Sequence, residues 1–161
     1  MKLSLCINAA DEPDCQNFTD ENENYEKISE VLEKELSEIS PELKKYENIE
    51  ISLSFVNSQE IRELNNSYRN IDESTDVLSF PMFEGTQLPE IPVLTLGDIV
   101  ICPEEVARLH PNLKKNEGIY LIIAHSFLHL LGFDHDTEEK QASMWTKQEK
   151  IKNEILERLG F

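Results

Sequence analysis

Apolar and polar positions alternate in two periods along this chain. Leu3, Leu5 and Ile7 share one face of a first strand. An acidic, asparagine-rich connection follows, to about Asn24. Ile28, Val31, Leu32 and Leu36 then recur at helical spacing and predict a helix over Tyr25–Ile39, stopped by Pro41. Glu35 is the polar exception on its inner face. Ile49, Ile51, Leu53 and Phe55 alternate with polar residues and predict a half-buried strand. A second helix is expected to begin near Ser58 as its cap and to turn Ile61, Leu64 and Asn65 inward.

Tyr68–Asp76 is polar and reads as a loop. Val77–Phe80 reads as a short strand ended by Pro81, and Glu84–Pro92 as a mobile loop by composition. Val93–Ile101 returns to strand character around Gly97-Asp98. Pro103 suits the first position of a short helix that ends before Pro111. A long apolar helix is predicted over Asn116–Leu131. An amphipathic one follows over Thr137–Leu159, with Met144, Ile151, Ile155, Leu156 and Leu159 inward. Strands and helices are mixed, and no repeat or long linker parts the chain. The prediction is one α+β domain over residues 1–161, a small mixed sheet packed with helices.

Composition narrows the class. The chain has 161 residues, 39% hydrophobic and 29% charged, enough apolar material for a core. Its net charge of −17 is spread along the chain, which argues against a broad basic footprint for nucleic acid. Three cysteines, Cys6, Cys15 and Cys102, show no C-x-x-C spacing, so a reducing cytoplasm is the simpler setting. The first residues lack a signal-peptide pattern, and the apolar run Ile119–Phe133 is too short and too polar to span a membrane.

Three of the four histidines stand within eleven residues: His125, His129 and His135. Positions 125 and 129 fall on one helix face, about 5–6 Å apart at Cβ. Gly132 can end the helix in the left-handed conformation and return His135 to the same place. Three neutral imidazoles that leave one tetrahedral position open make a catalytic zinc pattern. One histidine on an apolar helix is ordinarily a satisfied core residue; two need partners for their nitrogens, and one metal ion satisfies both. Asp134 either orients a ligand histidine or caps the last helix. His110 is expected to be a surface histidine.

The spacing matches H-E-x-x-H-x-x-G-x-x-H of the metzincin peptidases, except that Ser126 replaces the glutamate base. Serine cannot serve as that base at neutral pH, so a peptidase of that mechanism is disfavoured. The run H-x-x-L-H-L-x-G-x-D-H from His125 to His135 resembles the zinc motif of the YbeY endoribonucleases. Leu64-Asn65, Tyr68-Arg69, Thr75-Asp76-Val77-Leu78-Ser79-Phe80-Pro81 and Leu96-Gly97-Asp98-Ile99-Val100-Ile101 agree with the same family, in order, over about residues 49–136.

The resemblance implies a zincin-like fold with a central zinc-binding helix and one Zn2+ per chain. It implies a single-strand-specific metallo-endoribonuclease of the bacterial cytoplasm, acting in 16S rRNA 3′-end maturation and ribosome quality control. Its partners would be single-stranded RNA, ribosomal RNA or the small subunit. Arg69 falls on the family's catalytic arginine; without the family it would read as a surface ion pair with Asp72 or Glu73. Asp76 and Asp98 are given structural roles. Where the family has glycine, Ser126 stands, expected to face the metal's open side yet small enough for activity to survive. The charge requires either a local groove from Arg62, Arg69, Lys114 and Lys115 or a protein partner that presents the RNA. Two other readings remain: a zincin-like metallopeptidase or other metal-dependent hydrolase, and a non-catalytic ribosome-assembly factor with a structural zinc.

Overall fold

The structure, a computed structural model, describes residues 1–10, 15, 22–83, 87–114 and 116–161. In chain order it contains β1 (Lys2–Ala9), α1 (Asn22–Ile39), a short 3-10 helix (Pro41–Lys45), β2 (Asn48–Phe55) and α2 (Ser58–Arg69). It continues with β3 (Val77–Pro81), β4 (Val93–Ile101), α3 (Pro103–Leu109), α4 (Glu117–Leu130) and α5 (Glu138–Leu159). The plan is the α+β, zincin-like one expected: a mixed sheet in the order β1-β2-β4-β3 with the histidine helix packed on it. β1, β2 and β4 run parallel, and β3 is the antiparallel edge strand. Much of the acidic connection before α1 lies outside the described residues.

The sheet has two working faces. Ile49, Ile51, Leu53 and Phe55 of β2 are all fully buried against α1, α4 and α5, each worth about 1.5–3 kcal/mol of apolar transfer. Ile61 of α2 closes a smaller cluster with Leu78, Val100 and Cys102. Glu35, the polar exception on α1, is buried because Lys150 of α5 donates to its Oε1 at 2.7 Å. That bond, with Glu38 and Glu154 nearby, pushes the Lys150 ammonium up.

β4 breaks its own alternation. Between Glu50 and Ile51 of β2 the register slips from Thr95 to Gly97 on β4, leaving Leu96 unpaired. One extra residue turns later side chains over, so Leu94, Leu96, Ile99 and Ile101 all join the main core. At this point Gly97 has φ +153, and a Cβ there would lie 2.3 Å from the Phe80 carbonyl and 2.9 Å from Leu130 Cδ2. Only glycine permits that approach of β3 and α4.

Four local expectations change. Asn57, not Ser58, caps α2: its side chain accepts from Glu60 N–H at 2.8 Å, while Ser58 donates to Glu104. α2 continues through Tyr68 and Arg69, read as loop from their polarity; Asn70 then ends it in the left-handed conformation. α1 is helical from Asn22, ahead of the first apolar repeat. In the stretch expected to be a mobile loop, residues 84–86 lie outside the described residues, but Pro89 and Pro92 are tied down. Their carbonyls accept from the Tyr46 hydroxyl (2.7 Å) and Glu47 N–H (2.9 Å). Among the described residues no helix is long and apolar enough to cross a membrane.

Candidate metal centre

α4 is apolar on nearly every side because it lies between the β3–β4 edge and α5. It ends as a Schellman turn: Gly132 N–H donates to the His129 carbonyl and Phe133 N–H to the Leu128 carbonyl, each at 3.0 Å, with Gly132 at φ +90. The chain then folds back and brings His135 to the other two histidines. One donor atom from each of His125, His129 and His135 lies within 4.8 Å of the others, so the trio could hold a metal ion.

Hydrogen bonding fixes which nitrogens face inward. His129 Nδ1 lies 3.0 Å from the Phe133 carbonyl, which can only accept, so this nitrogen carries the proton. His125 Nδ1 lies 2.6 Å from Gln148 Oε1 of α5, again an acceptor. Both Nε2 atoms of the neutral rings therefore carry lone pairs, and they lie 3.0 Å apart. Two lone pairs at that distance repel. A cation between them relieves this, and tetrahedral zinc at 2.0–2.1 Å would set its nitrogens about 3.3 Å apart. The donor set thus fits the metal. Burial chiefly pushes both imidazoles below their ordinary pKa; repulsion from neighbouring histidines (His135 on His125, His125 on His129) adds to this, against the bonds to Gln148 and Phe133. Both effects favour the neutral, ligating form.

A cavity of about 670 Å³ opens on the trio. Its walls are all of β3, the 132–134 turn, and Tyr68 and Arg69 from the last turn of α2. Among the described residues no acid pairs with Arg69. The salt bridge to Asp72 is made instead by Arg62, at 2.9 Å. The structure thus brings Arg69 and the three histidines to one place. It does not gather the expected basic groove. Arg62 lies in a separate hollow with Asp72, Lys114 lies beside His110 and Pro111, and Lys115 lies outside the described residues.

Three site expectations are corrected. Ser126 is fully buried and is not part of the cavity wall, and its Oγ has no hydrogen-bond partner among the described residues. Its helical phase points it into the packing, not at the metal's open side. Of the two readings of Asp134 only the cap is overturned, because Thr137 caps α5; Asp134 instead accepts the backbone N–H of His135 at 2.6 Å. His110 is not an isolated surface residue: its Nε2 is 3.2 Å from Asp76 Oδ2, and both are partly buried. The backbone of Asp76 is anchored as well, its carbonyl accepting Cys102 N–H at 2.9 Å.

Gln148 escaped sequence reasoning. Its signal was a polar residue inside the apolar stripe Met144, Ile151, Ile155, and it is buried there.

The family model described as Endoribonuclease YbeY matches residues 14–156. A Clostridioides difficile (strain 630) protein named Endoribonuclease YbeY is 40% identical over 146 residues, covering 84% of this chain and 94% of its own. A protein of the same name from Caldanaerobacter subterraneus is 44% identical over 126 residues, covering 71% of this chain and 77% of its own. A Thermotoga maritima protein solved in solution superimposes with a TM-score of 0.62 at 26% identity, covering 96% of this chain and 91% of its own.

Proposed function

The chain belongs to the YbeY endoribonuclease family, and on that premise we propose that it is a zinc-dependent endoribonuclease cutting single-stranded RNA. Its place is 16S rRNA 3′-end maturation and ribosome quality control in the bacterial cytoplasm. Residues 1–161 act as one domain, with His125, His129 and His135 holding one zinc ion and Arg69 as a catalytic residue. One observation carries this reading: two lone-pair nitrogens 3.0 Å apart, and an arginine with no acidic partner among the described residues, face one cavity.

A bound zinc supplies Lewis acidity toward a phosphoryl oxygen. The rest belongs to the chain. Arg69 presents a planar fork that holds two phosphoryl oxygens and offsets the charge that builds as the phosphodiester breaks. Gln148 and the Phe133 carbonyl keep His125 and His129 in the tautomer that ligates. With few free cations at the cavity, the ribosomal small subunit or a protein partner presents the RNA. The peptidase reading has less support, because position 126 offers a buried hydroxyl where that mechanism needs a carboxylate.

The test is metal analysis of untagged protein together with cleavage of single-stranded RNA and of casein. The expected result is one zinc per chain, lost in His129→Ala, and RNA cleavage without casein cleavage. Arg69→Ala should keep the metal and lose roughly 100- to 1,000-fold in rate. Casein cleavage without RNA cleavage would overturn the proposal. Full biological rescue by folded, metal-free His125→Ala would favour the assembly-factor reading.

A further inference from the structure

Tyr68 is an aromatic side chain left 69% exposed in the wall of the cavity. Its ring does not hang free. It stands edge-on to Phe80 of β3, with centroids 5.1 Å apart at 61°, and Phe80 lines the same cavity. The backbone beneath is fixed by the Asn70 cap, whose N–H bonds the Asn65 and Asn66 carbonyls. A propped ring with an open face, next in sequence to an arginine in the same wall, offers one surface to a base and the other to its phosphate.

The charges give this a consequence. Arg69 is the one permanently charged cation among the described residues of the wall. Lys147 comes near, with its Nζ 5.8 Å over the ring of Phe133. A chain at −17 with one or two such cations cannot retain a strand by neutralising many phosphates. Contact that needs no charge must replace them, and stacking on an aromatic face is the form open to every base.

We propose that Tyr68 is the stacking platform for a nucleobase whose phosphate engages Arg69, so that the strand is held chiefly by stacking and only weakly by charge. This rests on the endoribonuclease reading and adds to it a base subsite beside the metal centre.

The test is single-turnover cleavage of a short, unstructured, end-labelled RNA by excess zinc-loaded protein. Tyr68→Ala should raise the half-saturating protein concentration roughly 5- to 150-fold, with unchanged zinc content. Tyr68→Trp should stay within about threefold of wild type, because the stacking face survives. In a second arm, one base at a time is replaced by an abasic unit. The wild type should lose affinity most at one position, and Tyr68→Ala should be indifferent there. This arm reads the wild-type protein even if the alanine variant folds poorly. Between low and moderate salt, the log–log slope of affinity should be about −0.7 to −1.4, for one or two phosphates neutralised on a single strand. Wild-type affinity in Tyr68→Ala, equal sensitivity to every abasic position, or a slope steeper than about −3 would each overturn the proposal while leaving the nuclease standing. If the wild type cleaves no RNA, both fall together.

Discussion

Ser126→Ala should make this protein more stable and leave its chemistry alone. The hydroxyl is fully buried in α4, and its Oγ has no partner among the described residues. Stranding such a group costs about 1–3 kcal/mol of lost hydration. Alanine removes that cost and adds about 0.5 kcal/mol of helix propensity. The missing atom leaves a void of small volume, a cost of a few tenths of a kcal/mol at roughly 24 cal/mol per Å³. The net gain is about 1–3 kcal/mol, or roughly 2–10 °C in thermal midpoint for a chain of this size. Ser126→Gly should gain about 1 kcal/mol less than alanine, since glycine forfeits that much in a helix interior. The assay is thermal unfolding with and without zinc, beside RNA cleavage by the same preparations. A midpoint about 2 °C or more below wild type would mean that the hydroxyl has a partner after all. A tenfold loss of cleavage would place this side chain at the reacting centre, against its position in the packing.

Other outcomes follow from other contacts. Gln148→Leu removes the acceptor on His125 Nδ1 and should weaken zinc affinity about 10- to 100-fold in a chelator competition, with Gln148→Glu retaining it; equal affinities would show that α5 does not orient the ligand. Gly97→Ala puts a Cβ 2.3 Å from the Phe80 carbonyl and should cost more than about 3 kcal/mol in denaturant unfolding; a loss below about 1 kcal/mol would refute the close approach. The His125 and His129 imidazoles are pushed below their ordinary value of 6.5. Folded, metal-free protein therefore binds fewer protons than the unfolded chain near and below that value. Its midpoint should fall as pH drops through it and be flat above; a midpoint that rises on acidification would contradict the assignment.

The elements with strong periodicity were legible in the sequence. β2 alternates as its residues do, and the histidine spacing with Gly132 is enough to bring three side chains together. What failed to show has physical causes. The run Asn65-Asn66-Ser67-Tyr68-Arg69 carries no apolar period past its first residues, so the last turn of α2 looked like loop. Leu94, Leu96, Ile99 and Ile101 do not fit one alternation, and that break was the mark of the slipped register at Leu96. Cations far apart in sequence could not be assigned to one surface, and Arg62 proved to be committed to Asp72. Adjacency of Ser126 to a ligand in sequence does not give its direction, because one residue along a helix turns a side chain by about 100°.

The notch at Gly97 ties two motions together. Leu130, one residue beyond His129, rests where a side chain at 97 would stand, and the Phe80 carbonyl of the edge strand closes the same space. If that shared seat makes β3 and the last turn of α4 one opening unit, zinc bound by the histidines should slow exchange in the edge strand as well. Amide exchange along residues 77–80, compared with and without zinc, would then read the grip on the histidines from the far side of the cavity wall.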